Sequence, residues 1–335
     1  MSTRVLEFGG LAAGFCGRLF QHGGAEVVRI EDAVPSVTDA WVSQAAVDAF
    51  LHAGKKRVAY RNHQQLRDLV AAADVVVAEG MPDELEALGW AELEGVRVAI
   101  TPFGMTGPRR QWHASASVLL AMGGYTYLMG DPGRAPLTLP GHYTEYQSGQ
   151  YAYIGASACL YGGEDHALDV SMLETVLSLS QMTTVMWSCK GDVRTRHGSS
   201  FGILYPINLF PCADGWFHVN VVPHFWGPFT KMLGRPDLED DVRFASSRGR
   251  IDNREVLDAI IFESLGHRTK AEVQKLGEQA RVPTGVLQEI DEVLADPHLA
   301  ERRIWCDVEG MQSPSLAYRF DGDVPHNFVV EPIDG

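Results

Sequence analysis

The first hundred residues alternate short apolar segments with helix-forming segments, and no other feature of the sequence constrains the fold as strongly. The predicted strands are Arg4–Phe8, Glu26–Ile30, Arg57–Tyr60, Asp74–Val77 and Arg97–Thr101. The helices predicted between them are a segment ending near His22, then Trp41–His52, Gln64–Ala72 and Asp83–Leu88. Apolar strands that alternate with helices form a largely parallel sheet covered by those helices. The sequence therefore predicts an α/β fold with a mostly parallel sheet.

The turn after the first strand, Gly9-Gly-Leu-Ala-Ala-Gly14, is similar to the phosphate-binding turn of a dinucleotide-binding unit. A strand, a glycine-rich turn, a helix, a second strand and an acidic residue follow one another in such units. The fingerprint G-x-G-x-x-G requires a glycine where Leu11 stands, because the backbone must approach the pyrophosphate there. The sequence therefore disfavours a nicotinamide cofactor.

Residues 139–176 predict two helices in series, and the first begins beside a glutamate. Thr144 is a suitable N-cap residue, which places Glu145 in the first turn, where the helix dipole favours a negative charge. Small residues at helical spacing then allow close approach of a backbone or ligand: Gly149, Ala152, Gly155, Ala156, Ala158 and Cys159. These patterns leave two interpretations of Glu145 open, a solvated first-turn glutamate or a reactive carboxylate.

The second of these helices is predicted to start at Ser171, which forms a capping-box pattern with Glu174. Apolar residues then occupy nearly all sides of the helix: Val176, Leu177, Leu179, Met182, Val185 and Met186. This distribution predicts a buried helix. Before this region, residues 101–108 predict a shaped loop and Trp112–Met122 a further helix.

A change of composition after Trp187 predicts a second domain. Asn208–Val222 indicates a β-hairpin that turns at Asp214-Gly215. The later predicted elements are helices at Phe225–Leu233, Arg250–Leu265, Thr269–Gln279 and Ile290–Leu294, and strands at Pro283–Leu287, Trp305–Val308 and Leu316–Phe320. We therefore predict a large domain over 1–190, a linker over 191–206, a small α+β domain over 207–302 and a C-terminal return segment over 303–335 that packs on the large domain.

Charge and cysteine usage restrict the partners. The formal net charge of −15 argues against a nucleic-acid-binding surface and against attraction to anionic lipid. The five cysteines are far apart and include no C-x-x-C pair, so we expect no metal. The sequence shows no signal-peptide pattern and no apolar stretch of about 18 residues. We expect a cytoplasmic protein with neither a nucleic-acid nor a membrane partner.

Short motifs along almost the whole chain resemble the class III CoA-transferases, the CaiB/BaiF or carnitine-dehydratase-like family that includes formyl-CoA transferase and alpha-methylacyl-CoA racemase. The matching segments are Val5–Phe8, Leu11–Gly14, Gly24–Glu31, Lys55–Arg57, Ala73–Val77, Thr101–Pro108, Gly123-Gly124, Leu168–Glu174, Cys212–Trp216, Arg243–Ala245 and Asp296–Leu299. The resemblance implies a Rossmann-like large domain, a smaller α+β domain and an interlocked homodimer, or a heteromer with a paralogous subunit.

The resemblance also implies a reaction. In the family, a carboxylate at the Glu145 position attacks an acyl-CoA thioester, and CoA passes through an enzyme-bound thioester to an acceptor acid. It implies acyl-CoA and a carboxylic acid as substrates, with no tightly bound cofactor. The best-known members carry aspartate at this position, and this chain carries glutamate.

Further site residues follow from the resemblance. CoA contacts are expected from Ala12, Ala13, Arg29, Lys55, Lys56, Arg57, Arg109, Gly123 and Gly124. Two arginines that contact CoA in the family are Asp32 and Ala87 here. Because the chain as a whole is acidic, the basic run Lys55–Arg57 is a candidate for binding the phosphates of CoA.

Two alternatives stay open at the level of sequence. In the racemase branch a histidine and a carboxylate move the proton at the acyl alpha carbon, which here would be the work of His113 and Glu145 in a racemase, epimerase or lyase. The other alternative is a non-catalytic partner subunit that no longer binds CoA.

Overall fold

The structure, a computed structural model, describes residues 3–33, 44–308, 310–319 and the backbone of 333–334. The chain divides into two compact units. The first unit comprises residues 1–127, 138–193 and 297–335, and the second comprises residues 128–137 and 194–296.

The strands, in chain order, are β1 (Arg4–Phe8), β2 (Glu26–Glu31), β3 (Lys56–Ala59), β4 (Val75–Glu79), β5 (Val96–Thr101), β6 (Ala167–Ser171), β7 (Ile207–Cys212), β8 (Gly215–Asn220), β9 (Thr284–Val286), β10 (Trp305–Val308), β11 (Met311–Pro314) and β12 (Ile333–Asp334).

The α-helices are α1 (Leu11–His22), α2 (Gln44–His52), α3 (His63–Ala71), α4 (Pro82–Ala87), α5 (Ala116–Met122), α6 (Tyr143–Gly162), α7 (Met172–Leu179), α8 (Gln181–Lys190), α9 (Trp226–Met232), α10 (Ser247–Asp252), α11 (Arg254–Leu265), α12 (Lys270–Ala280), α13 (Ile290–Leu294) and α14 (Pro297–Glu301).

A parallel sheet forms the centre of the first unit. Among the described residues its strand order is β12-β3-β2-β1-β4-β5-β6, and all of its neighbouring strands pair in parallel. The two central strands are deeply buried, since every residue of β4 and all but the first of β1 are buried. Helices cover both faces because such strands must bury side chains on both sides. The α/β fold with a mostly parallel sheet is thus confirmed.

The carboxyl ends of β1 and β4 are neighbours in this sheet, because Phe8 pairs with Ala78. The polar residues that follow these two strands therefore come together at one edge, which is where α/β proteins bind ligands. Helix α6 packs on the same face of the sheet as α1, with Ala152 and Ala156 in the same apolar cluster as Ala12 and Ala13.

The second unit contains an antiparallel sheet in the order β7-β8-β9 and the helices α9 to α13. Its core surrounds Phe217, Phe229 and Phe244, all fully buried. The predicted hairpin is confirmed, with Cys212 paired to Gly215 across the turn. This unit therefore has an α+β architecture.

Most predicted elements match to within two residues, but several predictions are wrong. Strand β6, which pairs with β5 from Arg97↔Ala167 to Thr101↔Ser171, was missed because it is short and only its last residue is buried, so it lacks a continuous apolar run. The helix predicted from Trp112 starts only at Ala116, after an extended Ser115 with φ −89° and ψ 168°. Residues 41–43 of the predicted helix Trp41–His52 lie outside the described residues.

Two more differences fall later in the chain. The helix predicted over Arg250–Leu265 is two helices that meet at Asn253, whose amide donates to the carbonyl oxygen of Gly249. No strand forms over 316–319, and Phe320, the end of the predicted strand, lies outside the described residues.

The prediction of a buried helix after Ser171 is wrong for the single chain. The segment is broken at Ser180 into α7 and α8, and much of its apolar surface is exposed. Leu177, Met182 and Val185 are 41%, 42% and 55% exposed. The apolar pattern is real, but the described part of the chain covers only some of these side chains.

No helix among the described residues is long and apolar enough to cross a membrane. Within the same residues, no group of three or more histidine, cysteine or acidic side chains is arranged to hold a metal ion.

Candidate active site

Glu145 lies in the first turn of α6, as predicted, and is buried to 9% exposure. The residue that precedes the helix is His142 rather than the predicted N-cap Thr144, so α6 begins two residues earlier than expected. His142 is also buried, and its Nδ1 lies 3.7 Å from Glu145 Oε1. The aligned peptide dipoles of this 20-residue helix favour a negative charge at Glu145.

Close packing of α6 against α1 determines where Glu145 lies. A Cβ on Gly149, one turn after Glu145, would be 2.6 Å from the carbonyl oxygen of Ala12. Only a residue without a side chain allows the two backbones to approach so closely. The small-residue pattern seen in the sequence therefore serves this contact between helices.

A second carboxyl group, that of Glu79, lies at the amino end of α1. Glu79 is the last residue of β4, and its Oε2 accepts hydrogen bonds from the backbone amides of Ala12 at 2.7 Å and Ala13 at 3.0 Å. A Cβ on Gly10 would be 2.5 Å from Glu79 Oε1, so the turn before α1 is shaped around this side chain. Glu79 thus caps α1 from a neighbouring strand.

Burial is the main influence on the pKa of the Glu79 carboxyl group. Loss of solvation and the nearby charge of Glu145 raise its pKa, the two amide hydrogen bonds and Arg29 lower it, and the net result is a pKa of about 7. A carboxyl group with this pKa exchanges its proton near neutral pH.

Glu79 and Glu145 line the same small cavity of about 40 Å³, which we call the Glu79–Glu145 cavity. Its remaining lining is mostly apolar and is formed by Gly80, Met81, Pro102, Ala114, Ser115, Ala116 and Met172. Such a volume holds little more than the reacting atoms of a substrate. The cavity can therefore hold a carboxylate nucleophile away from bulk water.

The sequence analysis missed Glu79. The available signal was its position, because it directly follows an apolar strand in a parallel α/β pattern, where ligand-binding residues collect. Its proximity to Glu145 was not visible, since the contact depends on how β4, α1 and α6 pack.

Lys55, which was predicted to contact CoA, is buried inside the first unit. Its ammonium donates to both carboxylate oxygens of Glu7 at 2.8 Å and to the Gly14 carbonyl oxygen at 2.7 Å. The side chains of Lys55 and Glu7 are both fully buried. Burial would raise the pKa of Glu7, but Lys55, His52 and Arg29 outweigh it and hold the pKa at about 2. Burial lowers the pKa of Lys55 to about 8.

Arg29 and Arg57 are also engaged with acidic groups. Arg29 pairs with Glu7 at 3.3 Å and with Glu31 at 3.1 Å. Arg57 pairs with Glu31 at 2.8 Å and with Asp48 at 2.7 Å. These carboxylates already neutralise much of the positive charge of the two arginines.

A larger cleft lies at the carboxyl ends of β1 and β2, with a volume of about 530 Å³. This β1–β2 cleft is lined by Gly9, Gly10, Leu11, Arg29, Glu31, Asp32, Ala45, Val47, Asp48, Leu51 and His52. Asp32 has a left-handed backbone with φ 60°, which is uncommon for a residue other than glycine. The cleft has the position at which Rossmann-type sheets bind nucleotides.

The other predicted contact residues are spread over the unit. Lys56 and Arg109 are exposed, and the Arg109 guanidinium lies 5.2 Å from the centre of the Trp112 ring. Gly123 packs on α7, where a Cβ would be 2.4 Å from Val176 Cγ1, and Gly124 has φ +83°. The backbone amides of Ala12 and Ala13 donate hydrogen bonds to Glu79.

The predicted second base, His113, is exposed and is not among the residues that line the Glu79–Glu145 cavity. Its chain neighbours Ala114 to Ala116 do line it. The structure therefore brings Glu79, rather than His113, to the cavity that holds Glu145, and the catalytic role of His113 stays a prediction.

Comparison with known proteins gives consistent matches. The sequence model of CoA-transferase family III matches residues 2–324. The chain is 28% identical to succinyl-CoA–D-citramalate CoA-transferase from Chloroflexus aurantiacus, over 94% of this chain and 84% of that protein. It is 25% identical to subunit BbsE of succinyl-CoA:(R)-benzylsuccinate CoA-transferase from Thauera aromatica, over 90% of this chain and 82% of that subunit.

Solved structures show the same fold. A CaiB/BaiF family protein from Brucella suis superposes with a TM-score of 0.85 at 22% identity, covering 99% of this chain and 95% of that one. A Mycobacterium tuberculosis protein superposes with a TM-score of 0.81 at 23% identity, covering 96% of this chain and 92% of that one.

Proposed function

Because this chain belongs to CoA-transferase family III, and is an enzyme of that class, we propose that it moves CoA from an acyl-CoA donor to a carboxylic acid acceptor through a covalent intermediate on Glu145. The observation that carries this proposal is the burial of Glu145 in a small, mostly apolar cavity at the start of α6. A mixed anhydride exposed to water would hydrolyse, so the nucleophile must be shielded.

The proposed reaction runs in two halves. A carboxylate oxygen of Glu145 attacks the thioester carbonyl carbon, the C–S bond breaks, and CoA leaves with the electron pair as a thiolate. The thiolate then attacks the Glu145 carbonyl carbon of the anhydride, which releases the donor acid as a carboxylate and leaves a glutamyl-CoA thioester. The acceptor carboxylate repeats the two steps in reverse and takes up CoA.

We propose that the CoA moiety reaches Glu145 along the carboxyl edge of the sheet, where the β1–β2 cleft lies. Arg29 and Lys55 are buried and Arg57 is half-buried, whereas Lys56 and Arg109 are exposed to solvent. Among the predicted contact residues, Lys56 and Arg109 are therefore the best placed to meet phosphate groups from solvent.

The names of the relatives suggest which substrates to test first. Several of the matched enzymes are named as succinyl-CoA-dependent transferases, and an Acetobacter aceti relative is named acetyl-CoA:oxalate CoA-transferase. We propose succinyl-CoA and acetyl-CoA as the first donors to try, with small dicarboxylic acids as acceptors.

We also propose that the enzyme is an oligomer of interlocked subunits, either a homodimer or a heteromer with a paralogous chain. The support is the exposed apolar surface of α6, α7 and α8, which includes Ile154, Tyr161, Leu177, Leu179, Val185 and Trp187. A large exposed apolar surface indicates a protein–protein contact. Two relatives are named as alpha and beta subunits of one succinyl-CoA–L-malate CoA-transferase.

Intact-protein mass spectrometry tests the covalent step. The protein is incubated with each acyl-CoA, then quenched with hydroxylamine or borohydride, in parallel with Glu145→Ala. The proposal expects a CoA-sized, hydroxamate or alcohol modification at Glu145 that the variant lacks. Alpha-deuterium exchange in heavy water with no modification would favour the racemase alternative, and neither signal, with no stabilisation by CoA, would favour a non-catalytic partner subunit.

A further inference from the structure

Glu79 is a buried carboxyl group with no counter-ion of its own. Among the described residues it forms no ion pair with lysine, arginine or histidine, and the hydrogen bonds that its side chain accepts come from the Ala12 and Ala13 amides. Those two bonds go to Oε2, so Oε1 remains available to carry a proton. An ionised carboxylate in such a place is costly unless it has a compensating positive charge.

The other carboxyl group of the same cavity adds to that cost. Glu145 projects from α6 and Glu79 from β4, and the lining between them is mostly apolar. Among the described residues, the other charged or titratable groups near the pair include Arg29 from β2, and His142 and Tyr146 next to Glu145. Two carboxylates in one small, mostly apolar site do not both ionise easily, and closely spaced pairs of this kind share a proton.

Resting on the proposed function, we propose that Glu79 and Glu145 together hold one proton in the resting enzyme, that this proton is on Glu79, and that acylation of Glu145 releases it. Glu79 is then a positioning residue, because it acts on the reaction through the charge of Glu145. With Glu79 neutral, the site carries a single negative charge, on the nucleophile.

The location of the proton follows from the surroundings of the two groups. Glu145 lies in the first turn of a 20-residue helix, whose dipole favours its ionised form. At Glu79, desolvation together with the charge of Glu145 raises the pKa to about 7 despite two amide hydrogen bonds.

The stoichiometry of transfer makes this proton measurable. Conversion of the free enzyme and acyl-CoA into glutamyl-CoA and the released acid consumes one carboxylate and produces one carboxylate. The exchange itself neither takes up nor releases a proton near neutral pH. When Glu145 becomes a neutral thioester, Glu79 loses the adjacent negative charge that raised its pKa, so protons that appear in solution come from the protein.

The first experiment measures that release. The oligomeric enzyme, at pH 7 in weak buffer with a pH indicator, is mixed with succinyl-CoA in single turnover, and the glutamyl-CoA adduct is quantified by mass spectrometry. We expect a fraction of a proton per adduct, at most about one half because the resting pKa is near 7. Glu79→Gln should form its adduct without release, and the exposed Glu94→Gln should behave as the wild type.

The outcomes separate this proposal from the proposed function. An adduct that forms with no proton release, or with equal release in Glu79→Gln, overturns the proton assignment and leaves covalent transfer intact. No adduct with any acyl-CoA overturns both.

A second measurement on the resting enzyme covers the case in which Glu79→Gln forms no adduct. Infrared difference spectra between pH 5 and 9 should show the carbonyl band of a protonated carboxyl group disappearing near pH 7. This band should be missing in Glu79→Gln, persist in Glu94→Gln, and titrate at lower pH in Glu145→Gln, which removes the neighbouring charge. A band that titrates identically in Glu79→Gln and wild type overturns the proposal.

Discussion

Gly149 of α6 and Ala12 of α1 lie so close that a Cβ on Gly149 would be 2.6 Å from the Ala12 carbonyl oxygen. This contact brings the first turn of α6, with Glu145, next to the amino end of α1, which Glu79 caps. The position of the proposed nucleophile therefore depends on a glycine one helical turn away.

The substitution Gly149→Ala should separate the two helices. Overpacking of this kind costs about 1–3 kcal/mol, and the shift should also move Glu145 and reduce the rate of acylation. The matched control is Gly162→Ala at the other end of α6, where a Cβ meets no atom within 4 Å. That control should be neutral or stabilise the protein by up to about 1 kcal/mol. Urea unfolding and single-turnover acylation measure the two effects, and equal behaviour of the variants would contradict the packing argument.

Replacement of the proposed nucleophile should remove transfer without removing the fold. Glu145→Gln keeps the size of the side chain and loses the nucleophilic oxygen, so we expect transfer to fall by about 10³-fold or more. Glu145→Asp withdraws the carboxylate by one methylene and should retain part of the activity. Steady-state assays measure the transfer activity of each variant, and the melting temperature checks that the variant is folded. Full activity of Glu145→Gln would rule out the covalent step.

Adjacent lysines should differ sharply in their contribution to stability. Lys55→Met leaves the buried Glu7 without its closest counter-ion, and breaking such a pair costs about 3–5 kcal/mol. Lys56→Met alters an exposed side chain and should change stability by less than about 0.5 kcal/mol.

Binding should show the opposite order for the two lysines. If Lys56 meets CoA phosphates, Lys56→Met weakens the thermal shift that CoA produces. Chemical denaturation and CoA titrations of both variants provide the comparison. A stable Lys55→Met variant with a selective loss of CoA binding would show that Lys55 contacts CoA instead.

The pKa of Glu79 predicts a pH-dependent stability difference. Its pKa is raised from 4.5 to about 7 on folding, so the folded state binds its proton more tightly than the unfolded state does. The resulting stabilisation is complete below pH 4.5 and is lost as the pH rises through 7. Relative to Glu79→Gln, the wild type should therefore lose up to roughly 3 kcal/mol between pH 4 and 8. Urea unfolding of both proteins across this pH range tests the sign of the change in stability. A stability difference that does not vary with pH would mean that Glu79 does not titrate in this window.

The local elements were largely predictable because their causes are local. The apolar segments of β1, β4 and β5 and the capping pattern at Ser171 are visible in a few consecutive residues. The same holds for the start of α6, which the sequence placed to within two residues.

Exposure was harder to predict. The apolar residues of α7 and α8 indicate a buried helix, but burial requires a partner surface, and within the chain only part of that surface is covered. Strand β6 was missed because it is short and only its last residue is buried, so its five residues show no continuous apolar run.

The basic run Lys55–Arg57 shows how tertiary packing assigns roles to identical charges. The sequence predicts that these cations meet phosphates. Lys55 is instead buried against Glu7, Arg57 is held by Glu31 and Asp48, and Lys56 is exposed. Hydrophobic periodicity does not report which of three adjacent cations a sheet will bury.

By itself, the sequence determined the α/β architecture, the family resemblance and the place of Glu145 at the start of a helix. Only the tertiary structure decided that Glu79 shares its cavity. Helix starts and strands follow from neighbouring residues and local hydrogen bonds. The meeting of two carboxyl groups depends on the sheet order that places β1 beside β4 and on the glycine contact between α1 and α6.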